Sequence, residues 1–583
     1  MGKKSKNNEE VLQTSLVSEN PEIQKPRLTK LIIKNYRCIG STPVEIDLND
    51  IVVLVGANNV GKSSILQAYE LVMSQGSKKA SLELEDFPNN SIDDNRLPEI
   101  ELHTIVYDNS PGEKWIANLP NGEKLVKEKW VWKEIGDPIR TGWNVATNEW
   151  SAEVPWGAPN VANSRRPEPH RVKAFDPPET QAEAIKRLLI QTLQEKIKNL
   201  KTEEGENDYK KLVEQVKELQ KKIVTQSQDQ IDTINTQLTE LISKVFPNYK
   251  IDFNAKPEEN LDEAIALFKA NSQLLMGPQN GYLSTIDKQG SGARRTLLWA
   301  AIKFISENNP KSKGNNARPH LLLMDEPEIC LHPNAIREAC NVLYDLPKSG
   351  NWQVMVTSHS PIFIDFSRDN TTIVKVEKLT SGEITGTTVF RPDKVNLGDD
   401  DKSNLKLLNL CDPYVAEFFF GEKVIVVEGD TEYTAFNYIK KKRPQEYNDI
   451  HIIRARGKAT IVSLVKVLNH FGSNYSVLHD SDTPKTIRDG KEIANPAWGN
   501  NKNILEAMSA KPEETKTRLV ASLPNFEEAY FGKATKEEKP YNALKTLETD
   551  DDKFKIVESL LQALINFEHH RPEKCVEWTS IEE

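Results

Sequence analysis

The run Gly56-Ala57-Asn58-Asn59-Val60-Gly61-Lys62-Ser63 constrains this chain more than any other feature. It matches GxxxxGKS at every fixed position. It follows the apolar run Ile51–Val55 and opens a helical segment, Ser64–Met73. A strand that turns through two glycines into a helix aims backbone N–H groups and the positive helix end at phosphate. Lys62 reaches the β- and γ-phosphates, and Ser63 offers its hydroxyl to Mg²⁺. Asn58, Asn59 and Ser64 complete the candidate nucleotide-binding set with Gly56 and Gly61. The unit predicts an α/β domain that binds the phosphates of a nucleotide.

Three later segments fit the same site. Leu321-Leu322-Leu323-Met324-Asp325-Glu326 reads as a buried strand ending in two acids. Asp325 suits the Mg²⁺ shell and Glu326 suits polarisation of the attacking water. Val354–Ser360 is another strand, ending at His359, placed to sense a γ-phosphate. Between them and the loop lies Gln289–Arg295, where Ser291-Gly292 precedes a helix over Thr296–Ile305. Its N-terminus can meet a γ-phosphate.

A second constellation is acidic. Val424–Val427 runs into Glu428-Gly429-Asp430-Thr431-Glu432, and Val477-Leu478-His479 runs into Asp480-Ser481-Asp482. Carboxylates at the C-terminal ends of parallel strands sit where open α/β sheets bind ligands. Converging acids need cations, and Mg²⁺ or Mn²⁺ takes oxygen ligands. With a helix beginning at Gly429, Glu428 and Glu432 can face one ion. Asp480 and Asp482 alternate at strand spacing, so both point one way past the strand end. Two ions held there could activate water and stabilise the leaving oxygen. Taken singly, the first cluster also reads as an acidic first helical turn and the second as a plain turn.

At 583 residues the chain exceeds one core, and length alone predicts three or four domains. No apolar run is long enough for a membrane span, and the polar start lacks an apolar signal core. Lys6 stands where N-myristoylation needs a hydroxyl residue. Cys38, Cys330, Cys340, Cys411 and Cys575 show no CxxC spacing. They predict neither a zinc site nor a disulfide framework, and a reducing cytoplasm. A net charge of −10 argues against broad nucleic-acid coating but leaves room for a local basic groove.

Leu212, Val216, Leu219 and Ile223, then Ile231, Ile234, Leu238, Leu241 and Val245, recur at heptad spacing. Two antiparallel helices, or an ordinary bundle helix, follow from this pattern. The expected organisation is a disordered lead-in over 1–25, then an ATPase N-terminal half over 26–178. A helical dimerisation insertion over 179–260 and an ATPase C-terminal half over 261–394 come next. A linker over 395–415 leads into a second α/β domain over 416–583.

These residues resemble the ABC-type ATPases and, within them, the SMC-like branch. Gly56–Ser63 is similar to the Walker A loop, Leu321–Glu326 to Walker B, and His359 to the switch histidine. Pro327-Glu328 through Leu331-His332-Pro333 is similar to the loop after Walker B. Ser291-Gly292 resembles the signature turn, although the family's LSGGQ is here Gly290-Ser291-Gly292-Ala293-Arg294. The Q-loop residue is not located. The resemblance implies two heads sandwiching ATP, hence a homodimer or tetramer through the ATPase and the helical insertion.

Glu428, Asp480 and Asp482 resemble the metal ligands of a TOPRIM domain, with Gly457-Lys458 where that family often has a glycine turn. ABC-type ATPase followed by TOPRIM is the arrangement of the OLD (overcoming lysogenisation defect) nucleases. The resemblance implies two metals, with Glu527 in the family's later acidic motif and Glu528 as the alternative. It also implies a phosphate-contacting lysine at Lys539, for which Lys533, Lys536 and Lys545 compete. The implied activity is metal-dependent DNA endonuclease cleavage with possible ATP hydrolysis. Relatives of the Gabija and retron-effector kind imply an anti-phage role, with a helicase or a reverse transcriptase and its RNA–DNA product as partner. The rival reading is a non-catalytic, SMC-like DNA-bridging ATPase with a vestigial TOPRIM domain.

Overall fold

The computed structural model describes residues 25–174, 176–183, 185–186, 215, 218, 274–277, 281–308, 318–349, 352–365, 368, 370–379, 381–391, 395, 397–412, 415–420, 423–472, 474–488, 491–532 and 538–578. The heptad pattern, nearly all of the 179–260 insertion, and the lead-in apart from residue 25 lie outside them.

Among the described residues, a mostly parallel sheet runs in the order Ile384–Phe390, Thr371–Lys378, Ile51–Val55, Trp352–Thr357, His320–Asp325, Glu168–Val172. Only Ile384–Phe390 is antiparallel to its neighbour. Ile51–Val55 and Trp352–Thr357 are buried at every residue, as parallel strands covered on both faces must be. Period-two alternation sends Val52, Leu54, Leu321, Leu323 and Met355 into one core. Ile51, Val53, Leu322, Met324 and Val354 enter the other. The first core is shared with an antiparallel sheet built on Arg27–Lys34, Glu99–Val106 and Lys124–Val131.

A second sheet has the order Ile450–Arg454, Lys423–Val427, Tyr475–Asp480, Thr517–Ser522, Cys575–Glu577, with the first four strands parallel. The strand that comes first in the chain, Lys423–Val427, has its two successors on opposite sides. Its C-terminal end is therefore a topological switch point, where such sheets bind ligands.

The expected linker over 395–415 is not one. Asp399–Cys411 is a helix whose Leu405 and Leu408 are buried. The acids that suggested a polar linker start this helix. Asp401 accepts from its own N-cap amide (Gly398, 3.0 Å) and from Ser463 Oγ (2.8 Å) and Lys466 Nζ (2.6 Å) on the helix Lys458–Phe471. Acids in a first turn are favoured by the helix dipole, so the same residues that predict a loop can nucleate a helix once it has a surface to pack on. No helix among the described residues is long and apolar enough to cross a membrane.

Candidate functional sites

The phosphate loop ends at Gly61, with φ +84° at the helix N-cap, and a Cβ there would meet Ile384 Cδ1 at 2.1 Å. Only glycine fits. The helix runs Lys62–Met73, beginning two residues earlier than its apolar pattern suggests. Lys62 Nζ donates to the carbonyls of Gly56 (3.0 Å) and Ala57 (2.8 Å) and to His359 Nε2 (2.8 Å). Burial pushes its ammonium down to about 8, against the pull of Glu326, Glu328 and Asp325. Ser63 Oγ donates to Asp325 Oδ1 at 3.0 Å, and Thr357 Oγ1 donates to the same oxygen at 3.1 Å. Asn58, Asn59 and Ser63 are exposed, and Ser64 is half-buried.

Asp325 ends its strand, and Glu326 turns away from it with φ +45°. That turn leaves the Glu326 carboxylate 3.8 Å from His359 Nε2. Glu328 supports His359 from below: its Oε1 accepts from the amides of His359 (2.7 Å) and Ser360 (3.1 Å) and from Ser358 Oγ (2.9 Å). Ser291 begins the helix Ser291–Asn308, and a Cβ on Gly292 would lie 2.6 Å from the Cys330 carbonyl. Arg295 ties this helix to the Glu326 carbonyl at 3.0 Å.

Arg171 joins the site from the neighbouring strand, its Nη2 donating to Asp325 Oδ2 at 2.5 Å. No local spacing marks it, because the two residues are 154 positions apart.

At the second switch point the acids converge. Glu428 follows its strand directly, and Oε2 accepts from the Asp480 amide at 3.0 Å. Gly429 is the N-cap and Asp430–Lys442 the helix, with acids in the first turn and lysines in the last. Glu432 is buried on that first turn, 3 % exposed. Asp480 Oδ1 accepts from the Phe526 amide at 2.8 Å, at the start of the helix Phe526–Phe531. Glu527 Oε1 accepts from Thr431 Oγ1 at 2.8 Å and faces Lys539 Nζ at 3.4 Å. Glu528 is exposed and pairs with the capping Asn525 (3.2 Å) instead. Of the competing lysines, Lys545 is exposed, and Lys533 and Lys536 lie outside the described residues.

Burial pushes the Glu428 carboxyl up, and pushes Glu432 to about 8 and Asp480 to about 9, with the neighbouring carboxylates adding to each. Their all-oxygen chemistry suits a hard divalent cation, but no three of these acids bring ligand atoms within 4.8 Å of one another, so side-chain shifts would be needed to close around an ion.

Asp482 departs from the expected geometry. The strand ends at Asp480, and Asp482 lies beyond it in the left-handed region with φ +58°. Strand alternation therefore does not reach it. Its amide donates to the Pro524 carbonyl at 2.8 Å, and its carboxylate accepts from Lys458 Nζ. The Lys458 side chain is 3 % exposed and also donates to the Ala497 carbonyl at 3.3 Å. A lysine directly after a glycine turn at a strand end was the available signal, and only the fold shows that it enters the acidic cluster.

Comparison with known proteins finds two domain families along the chain. The AAA ATPase domain family matches residues 27–114 and 176–364. The TOPRIM domain of overcoming lysogenization defect protein-like proteins matches residues 419–482. The Old nuclease of Escherichia phage P2 is 22% identical over 468 residues, covering 78% of this chain and 77% of its own. The OLD nuclease of Thermus scotoductus (strain ATCC 700910 / SA-01) is 23% identical over 537 residues, covering 90% and 95%. Among solved structures, the SMC head bound to the C-winged helix domain of ScpA aligns with TM-score 0.35 at 16% identity, over 63% of this chain and 99% of that one. The SMC head domain from Thermotoga maritima aligns with TM-score 0.31 at 14% identity, over 62% and 99%. The chain thus has the ATPase–TOPRIM architecture of the OLD nucleases.

Proposed function

We propose that this chain is a Mg²⁺- or Mn²⁺-dependent DNA endonuclease whose cutting centre is licensed by nucleotide at its ATPase domain. One observation carries the reading: Glu428, Glu432, Asp480 and Glu527 gather at the switch point of the second sheet. There Glu428 and Asp480 are tied through the Asp480 amide, Glu527 is held by Thr431 and faces Lys539, and burial favours the neutral forms of Glu428, Glu432 and Asp480. A vestigial domain has no reason to keep so costly a cluster.

Glu428, Glu432, Asp480 and Glu527 would hold the ion. When bound, it supplies a Lewis acid and a water acidic enough to attack a phosphodiester. The Phe526 amide holds Asp480, and Thr431 holds Glu527, so each of these carboxylates is tethered at the switch point. Lys539, partly exposed beside Glu527, is placed to meet the scissile phosphate and offset charge in the transition state. A second ion, as in the two-metal scheme, would require Asp482 to exchange the Lys458 ammonium for metal.

At the ATPase site, Gly56–Ser63 would wrap the phosphates with Lys62, and Ser63 and Asp325 would hold the nucleotide's Mg²⁺. Glu326 would orient water, and His359 would read the γ-phosphate. Ser291-Gly292, on an exposed helix start, would serve the ATP of a second copy, making the active form a homodimer or tetramer. The family resemblance of its motifs extends this reading to a cytoplasmic anti-phage effector, working with a helicase or a reverse transcriptase and its RNA–DNA product.

The test is direct. Supercoiled plasmid incubated with the purified chain is nicked or linearised with Mg²⁺ or Mn²⁺ and untouched with EDTA, and ATP changes the rate. Cleavage that survives EDTA refutes the proposal.

A further inference from the structure

A second group of ligating side chains lies in the ATPase sheet, away from both sites described above. Glu168, His170 and His320 place one ligand atom each within 4.8 Å of one another. Their position follows from strand geometry. Glu168 and His170 alternate onto the same face of the edge strand Glu168–Val172, and His320 is the register partner of Glu168 on the next strand. His320 begins the strand that Asp325 ends, so about 17 Å of extended chain separates this cluster from the nucleotide site.

The contacts match one chemistry. His170 Nε2 and His320 Nδ1 are 3.0 Å apart, and His320 Nδ1 lies 3.9 Å from Glu168 Oε2. Two imidazole nitrogens on one tetrahedral zinc sit about 3.3 Å apart, with each Zn–N bond about 2.0–2.1 Å, so small shifts would seat an ion. Two nitrogens and one carboxylate suit Zn²⁺ better than Mg²⁺, which wants oxygens throughout. The Trp352 ring, register partner of His320 on its other side, packs 4.7 Å from His320 and 5.1 Å from His170, centroid to centroid. It walls the cluster on one side, while the Glu168 side chain, 30 % exposed, reaches solvent on the other. The nearby Arg318 guanidinium is committed to the carbonyls of Arg166 (2.8 Å) and Asn163 (2.6 Å). Burial, with His170 beside it, pushes the His320 imidazolium down to about 3, so the ring offers a lone pair at neutral pH.

We propose that Glu168, His170 and His320 form a zinc site that clasps the edge strand of the ATPase sheet to its neighbour. The edge strand also carries Arg171, on the opposite face, onto Asp325. Zinc occupancy would therefore steady the residue that positions the Mg²⁺-binding aspartate. The proposal is independent of the nuclease reading, because the acids of that centre lie in the other sheet.

The test uses full-length protein without a histidine tag, equilibrated with equimolar Zn²⁺ and desalted. Wild type and Asp480→Asn each retain one zinc per chain, and X-ray absorption of the wild type shows two imidazole ligands. The His170→Gln/His320→Gln double variant retains none, and the rise in thermal midpoint that zinc gives the wild type is lost. Wild type that keeps no zinc is a chain with a plain histidine–histidine hydrogen bond, and that result overturns the site. So does zinc lost from Asp480→Asn, which would place the ion among the acids. An absorption spectrum without imidazole ligands overturns it whether or not the double variant folds.

Discussion

The Lys458 ammonium lies against the Asp482 carboxylate, so one cation of the chain's own already sits in the acidic cluster of the second sheet. Lys458 is almost wholly buried, whereas Asp482 is 31 % exposed. Replacing Lys458 by methionine leaves Asp482 unpaired at a half-wet site. The cost is about 1–3 kcal/mol, below that of breaking a fully buried pair because water screens one partner. Urea unfolding in EDTA measures it. Saturating Mg²⁺ recovers part of the loss, since a metal replaces the missing charge. No loss in EDTA would mean the pair is incidental.

The pH dependence follows from the raised carboxyls. Asp480, pushed up to about 9, and Glu432, to about 8, keep protons in the folded chain that the unfolded chain releases near about pH 4. The folded state binds more protons between these limits, so stability from these groups is full below about pH 4 and drains as pH rises toward 9. Metal-free protein should lose thermal midpoint from pH 6 to 9. Mg²⁺ should protect more at the alkaline end, because ions displace those protons. Thermal scans across this range with and without EDTA check both slopes.

Glu527 and Glu528 separate cleanly. Glu527→Gln should abolish cleavage, because its carboxylate is held by Thr431 toward the acids and Lys539. Glu528→Gln should leave cleavage intact and change stability by less than about 1 kcal/mol, the scale of a helix-cap contact. Plasmid nicking by each variant decides between them.

In the ATPase domain, Lys62→Ala should remove nucleotide binding, read by fluorescent-ATP titration. Glu326→Gln should keep binding and lose phosphate release, because its carboxylate lies toward His359 rather than in the phosphate loop. Arg171→Met should resemble Glu326→Gln more than Lys62→Ala, since Arg171 touches Asp325 and not the loop.

How much of this was legible in the sequence depended on distance along the chain. The phosphate loop is contiguous, and its glycines, Lys62 and Ser63 occupy the places their spacing implies. Glu428 and Asp480 were readable because each ends an apolar run that becomes a parallel strand. Asp482 lies off the two-residue alternation of the strand, because the strand ends at Asp480 and the backbone at Asp482 turns left-handed. Lys458 and Arg171 reach their acids only through the sheets, so no window of sequence holds both partners. Asp399–Cys411 looked like a linker because its first turn is acidic; its buried leucines needed the helix Lys458–Phe471 to pack near.

The central claim is that the converging acids cut DNA under control of the ATPase domain. The decisive measurement is Mg²⁺-dependent plasmid cleavage by Glu428→Ala and Asp480→Ala, each checked for unchanged ATP binding. Both should bind ATP as wild type does and leave the plasmid intact. Cleavage persisting in both variants would contradict the account.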